Sequence, residues 1–158
     1  MQTDYSNFKA RQKGEYEKAW QSTGKCVFCD LRDKYIIYEK NGVVLTTNLF
    51  PYIDGHLMVI PRRHSETIQE VTVEEWAEFK HIIEIGSELL KKTLKIKDVW
   101  VLYRIGEGYR AGKSVVHSHI HLIPYSLDLI KMEYQELNIS PQELAEKLRK
   151  TLKKNETQ

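Results

Sequence analysis

Residues 113–125 read KSVVHSHIHLIPY, with His117, His119 and His121 at every second position and small or apolar residues between them. The whole chain carries only 6 histidines in 158 residues, so half of its imidazole sits in one short stretch. Successive side chains of a strand point to opposite faces. Over an expected strand Val115–Ile123, His117, His119, His121 and Ile123 therefore share one face, and Ser118, Ile120 and Leu122 share the other. The apolar face can pack against a helix, which leaves the imidazole face looking into a groove or toward a ligand. A lone histidine is commonly a half-buried, hydrogen-bonded structural residue. Three in register are harder to explain that way, because close imidazoles cannot all be protonated and their burial costs desolvation free energy. Metal ligation and phosphate chemistry are the readings that use such a row.

Outward from this stretch the chain reads as one α+β domain, residues 1–158, without repeats, low-complexity tracts or a Pro/Gly-rich linker. Tyr35–Glu39 and Gly42–Thr46, joined by Lys40-Asn41-Gly42, predict a hairpin, and His56–Ile60 predicts a buried strand closed by Pro61. Thr72-Val-Glu-Glu75 is a capping box. Trp76, Phe79, Ile83, Gly86 and Leu90 follow at helical spacing and predict an amphipathic helix to about Thr93. Val99–Ile105 supplies another strand, joined to the histidine strand by the loop Gly106–Lys113. Ser140-Pro-Gln-Glu143 then caps a last helix, about 140–153, whose Leu144, Leu148 and Leu152 form one stripe. The first 25 residues form an N-terminal arm in which 4–20 have the pattern of a short amphipathic helix or an ordered arm. The expected architecture is a mostly antiparallel sheet of about five strands against a long helix, with further helices at both ends.

Composition limits the partners. With 24 basic against 22 acidic residues the net charge is only +2, so long nucleic acid and anionic membrane are not expected partners. An anionic ligand must be met by local groups. The charged N-terminus lacks the apolar segment of a secretory signal, and no uncharged run approaches spanning length; a cytoplasmic protein is expected. The only cysteines, Cys26 and Cys29, are spaced as C-x-x-C, a pattern open to a zinc knuckle, a redox pair or coincidence.

The run GKSVVHSHIHLIP, residues 112–124, resembles the histidine-triad (HIT) signature, in which a glycine, a polar pair and a valine precede H-x-H-x-H and an apolar tail. NLFPYIDGHLMVIPRRH, residues 48–64, is similar to that family's other strong block, and CVFCDL, residues 26–31, to a third. Together the resemblance covers residues 26–124 in the family's order. The G-H-L-M-V-I-P form, the C-x-x-C and the chain length look most like the diadenosine tetraphosphate phosphorylase and hydrolase branch.

The resemblance implies a HIT-like fold and a set of roles. His119 matches the nucleophile, whose ring nitrogen attacks the α-phosphorus of a nucleotide to form a nucleotidyl-histidine intermediate, released by water or phosphate. That chemistry needs neutral imidazole with its other nitrogen held by an acceptor such as a backbone carbonyl. His121 matches the phosphate-contacting histidine, and Ser114 a serine that contacts phosphate or the leaving oxygen. Lys113 stands where the family usually has glutamine, and Gly106 where many members have asparagine; a lysine brings positive charge to a polyphosphate but no acceptor. Asn48 matches a ribose-binding position and Leu49 a base contact, with Val27, Phe28 and Leu31 as the opposite wall of the base slot. Cys26, Cys29, His64 and His117 match the ligands of a structural, tetrahedral zinc site. His56 reads as a buried supporting residue and His81 as an exposed helix residue. Family members are commonly homodimers. The implied function is cleavage of a nucleotide substrate of the dinucleoside polyphosphate kind, with hydrolase and phosphorylase both open. A zinc-stabilised nucleotide-binding module with little turnover is the alternative.

Overall fold

The computed structural model describes residues 24–106, 111, 114–125 and 136–155. The chain forms two compact units, Met1–Ser126 and Leu127–Gln158.

The first unit is built on a five-stranded antiparallel sheet. Its strands are β1 (Ile36–Lys40), β2 (Val43–Thr47), β3 (Leu57–Pro61), β4 (Val99–Tyr103) and β5 (Ile120–Pro124), in the spatial order β1-β2-β3-β5-β4. β1 and β2 are joined by a tight turn in which Asn41 and Gly42 both take positive φ, +48° and +75°, the backbone a two-residue hairpin requires. The α-helix α1 (Val73–Leu94) lies across one face of the sheet. It starts at the expected capping box: the Glu75 amide donates to the Thr72 hydroxyl and the Thr72 amide to the Glu75 carboxylate. It stops at Lys95 in the left-handed region, with Lys91 and Lys92 placed favourably in its last turn.

Side-chain alternation divides the strand residues between two cores. Val43, Leu45, Leu57, Val59, Ile120 and Leu122 face α1 and meet its Phe79, Ile82 and Leu90; each such side chain contributes about 1.5–3 kcal/mol by leaving water. Gly86 is what lets the helix sit so close. A Cβ there would lie 2.6 Å from Leu122 Cδ1 and 2.9 Å from Leu45 Cδ1. The opposite face carries Met58, Ile60 and His121, and the first of these pairs directly with the last.

Three expectations are corrected. The histidine stretch is not a strand from Val115: β5 begins at Ile120, and residues 114–117 bend. Its main-chain groups go elsewhere, since the Ser118 amide donates to the Ser65 carbonyl and the His117 carbonyl accepts from a side chain rather than from a neighbouring strand. β4 ends at Tyr103 rather than Ile105. On α1 the buried positions are Glu78, Phe79, Ile82, Gly86 and Leu90, whereas Trp76 is 45 % exposed. Ile83 packs against the rim of the core. Glu78 is buried because the Asn41 side chain donates to its carboxylate and ties the helix to the hairpin turn.

In the second unit the described structure is α2 (Pro141–Asn155). The Ser140 hydroxyl accepts from the Glu143 amide as its cap, and Leu144, Leu148 and Leu152 lie exposed. The expected N-terminal helix falls outside the described residues. Among the described residues no helix is long and apolar enough to cross a membrane.

Candidate active site and metal centre

All three triad histidines are buried, and each ring is held by a different partner. His119 donates from Nδ1 to the carbonyl oxygen of His117 at 2.7 Å. A carbonyl can only accept, so Nδ1 carries the proton and the lone pair resides on Nε2. The bend at 114–117 is what turns that carbonyl toward the ring two residues on.

The tautomer of His121 is set through His56. The Tyr52 amide donates to His56 Nδ1 at 3.2 Å, so the His56 proton is on Nε2. His56 Nε2 in turn lies 2.9 Å from His121 Nδ1 and donates to it. The proton of His121 is therefore on Nε2, and that N–H is buried with no hydrogen-bond partner among the described residues. Burial, then the charges of His119, His56 and Arg104, draws the pKa of His121 down to about 2. It is a neutral imidazole presenting one unsatisfied donor beside His119, with the two rings 4.7 Å apart and nearly perpendicular.

His117 turns the other way. Its Nε2–H donates to the Pro61 carbonyl at 2.9 Å, which leaves an unprotonated Nδ1 3.3 Å from Cys26 Sγ and 3.6 Å from Cys29 Sγ. His64 completes the group, with Nδ1 3.3 Å from Cys29 Sγ and Nε2 3.5 Å from a Glu66 carboxylate oxygen. The four donor atoms lie within 4.8 Å of one another. A histidine that ligates a metal through one nitrogen commonly donates from the other to a carbonyl or carboxylate, and both imidazoles are arranged in that way. Partial burial, then the adjacent Cys26 thiol, pushes the Cys29 thiol up to about 11. A bound cation would reverse that preference, since a coordinated thiol is deprotonated. The donor set fits a metal ion.

Asn48 lies against His56: its side-chain oxygen accepts from the Phe50 amide at 2.8 Å, and its Nδ2 is 3.3 Å from both His56 ring nitrogens. Phe28 is buried and meets His119 and His117 edge-on, at 5.0 and 5.9 Å between ring centres. Val27 and Leu31 pack into the same small core as Phe28, Met58 and Ile60. Leu49 is half-buried, and Ser114 is exposed in the bend leading into the triad. Lys113 lies outside the described residues. His81 is exposed on α1.

Residues 31–127 match the HIT domain family. The chain belongs to the HIT family. An uncharacterized HIT-like protein of Saccharolobus solfataricus is 35% identical over 103 residues, 63% of this chain and 73% of that protein. Among solved structures, a HIT family member from Bacillus subtilis superposes with a TM-score of 0.68 at 24% identity, covering 82% of this chain and 96% of that one. A Plasmodium falciparum diadenosine triphosphate hydrolase shares the fold with a TM-score of 0.58 at 18% identity, over 65% of this chain and 68% of that one.

The residue that sequence reasoning underused is His56. Alternation places it on the face of Met58 and Ile60 and predicts its burial, which the structure bears out at 2% exposure. Its bond to His121 depends on the pairing register of β3 with β5, in which Met58 stands opposite His121. No spacing within either segment reports that register.

Proposed function

We propose that this HIT-family chain is a nucleotidyl hydrolase or transferase that cleaves dinucleoside polyphosphates at the α-phosphate through His119. The observation that carries the reading is the pair of opposed tautomers: His119 with its proton held on Nδ1, beside His121 with a buried, unsatisfied Nε2–H.

His119 Nε2 attacks the α-phosphorus; a P–N bond forms, the P–O bond to the rest of the polyphosphate breaks, and the leaving group keeps the electron pair. The positive charge that attack places on the His119 ring is stabilised by the His117 carbonyl, which accepts from Nδ1–H. A protonated neighbour would oppose that charge, and the depressed pKa of His121 keeps it neutral. The N–H of His121 is available to a phosphoryl oxygen, where charge grows in the transition state. Water or inorganic phosphate then attacks the phosphorus, the P–N bond breaks, and neutral His119 is restored. In this reading Ser114 and Lys113 meet phosphate, Asn48 the ribose, and Leu49, Val27, Phe28 and Leu31 the base.

Cys26, Cys29, His64 and His117 are the residues that would hold zinc, as a closed structural site. The Sγ to Nδ1 separations of 3.3–3.6 Å would let one tetrahedral ion reach these donor atoms together. Bound there, the ion would supply a crosslink between the Cys26 segment, the end of β3 and the residue whose carbonyl orients His119.

The test is to incubate the protein with diadenosine tetraphosphate labelled at an α-phosphate, quench in alkali, and look for label on protein, since phosphoramidates survive base. Base-stable label on wild type, lost with turnover but not with AMP affinity in His119→Gly, is the expected result. Absence of label together with retained turnover in His119→Gly would overturn covalent catalysis; nucleotide binding without turnover would leave a binding module. Products assign the acceptor: ADP plus ATP formed only with phosphate means phosphorolysis, AMP plus ATP formed in water means hydrolysis.

A further inference from the structure

One flank of the triad carries an aromatic and cationic group that the reaction as described leaves unused. Tyr52, in the turn before β3, is 49 % exposed, and its ring stacks on His56 at 5.1 Å between centres and 21° between planes. The same ring is 6.4 Å from that of His121. The Arg104 guanidinium lies over Tyr52, 5.4 Å from its centre. Arg104 belongs on this face of the sheet by alternation: Leu102 pairs with His121 across β4 and β5, and Arg104 follows two residues later. Phe28, Val27 and Leu31 lie together in the small core around Met58 and Ile60, with Phe28 against His119 and His117. Arg104 and Tyr52 instead border His56 and His121. A net charge of +2 supplies no broad field for a polyanion, so the phosphates of a substrate must be met by individual cations.

We propose that Arg104 is a specificity-determining residue that binds the phosphates of the leaving group, beyond the α-phosphorus, and that Tyr52 is the positioning residue that holds its guanidinium there. The inference rests on the nucleotidyl-transfer reading and deepens it. With the first nucleoside on the Phe28 side and its α-phosphorus at His119, the remaining polyphosphate runs past His121 and reaches Arg104. The guanidinium fork suits such oxygens and holds its charge at any working pH. Stacking on Tyr52 restricts the guanidinium in advance, which lowers the ordering cost of binding. The charge of Arg104 is felt at His121, where it helps keep that ring neutral.

The consequence is selectivity by leaving-group charge. Substrates that expel a polyphosphate use Arg104, while adenosine 5′-phosphoramidate, which expels ammonia, does not. The experiment compares kcat/KM for these two substrates in wild type, Arg104→Gln, Tyr52→Leu and Tyr52→Phe. Dissociation constants for AMP and for a methylene-bridged, non-cleavable diadenosine tetraphosphate are measured alongside. In Arg104→Gln we expect at least about a tenfold loss with diadenosine tetraphosphate, the scale of one charge-assisted hydrogen bond. The phosphoramidate rate, AMP affinity and Tm should stay within about twofold or 2 °C of wild type. Tyr52→Leu should move in the same direction by less, and Tyr52→Phe, which keeps the ring, should match wild type. Equal losses on both substrates, or no loss on either, would overturn the proposal. If wild type turned over neither substrate, the nucleotidyl-transfer reading would fall and affinity would judge the subsite alone. A non-cleavable analogue bound no tighter than AMP, or equally well by Arg104→Gln, would then refute it.

Discussion

His56→Leu removes the group that, among the described residues, fixes which nitrogen of His121 carries the proton. In wild type the donor order runs from the Tyr52 amide to His56 Nδ1, and from His56 Nε2 to His121 Nδ1. Leucine fills much of the volume but leaves His121 Nδ1 without a donor in a residue only 4 % exposed. An orphaned buried acceptor costs about 1–3 kcal/mol. In a chain of this size that corresponds to a fall in Tm of roughly 2–12 °C. The Tyr52 amide also loses its acceptor, yet Tyr52 is half exposed and water can replace the bond. For turnover, the unpinned ring can move its proton to Nδ1, so that Nε2 accepts where it should donate; loss of a full transition-state donor is worth about 10²–10³ in rate. Both tautomers stay accessible in the variant, so about 10- to 10²-fold is expected for kcat. His56→Gln can still offer an N–H near the original Nε2 and should recover most of both losses. Urea denaturation and kcat on diadenosine tetraphosphate provide the two magnitudes, and ¹⁵N spectra of the histidine rings identify the tautomers. A His56→Leu protein with wild-type Tm and kcat would refute the reasoning, as would a wild-type His121 protonated on Nδ1.

Two further outcomes follow from the same geometry. Elemental analysis of protein purified without added metal should find about one zinc per chain, and Cys29→Ser or strong chelation should lower Tm while AMP affinity survives; a metal-free protein of full stability and activity would remove the ion from the account. For pH, His121 has a folded pKa near 2 against an unfolded value of about 6.5, so the unfolded chain binds the extra proton between those limits. Its contribution is complete above about pH 6.5 and is lost as pH falls, at up to about 1.4 kcal/mol per pH unit. Removing the titrating ring in His121→Gln should flatten that part of the acid-denaturation curve, and an unchanged slope would contradict the assignment.

Much of the molecule is written in local sequence. The capping box at Thr72 and Glu75 satisfies amides within its own first turn, so it reads the same in a peptide as in the fold. The alternation of Ile120, His121 and Leu122 sorts side chains to the two sides of any strand, and so predicts that the apolar pair meets α1 while the imidazole faces away. The spacing of Cys26 and Cys29, with the family pattern of His64 and His117, brings together the four donors that the structure finds within 4.8 Å. The failures have a different origin. Trp76 fits an amphipathic helix, yet burial depends on how far the sheet extends beneath it, and Glu78 takes an inward position because Asn41 of the hairpin supplies a partner. The strand expected from Val115 is cut short because Pro61 and Ser65, some fifty residues earlier, claim the ring of His117 and the amide of Ser118. Proton positions belong wholly to the tertiary structure. A sequence can state that three imidazoles alternate, but which nitrogen of each carries a proton depends on what stands against it: His117's own carbonyl for His119, Pro61 for His117, and His56 for His121.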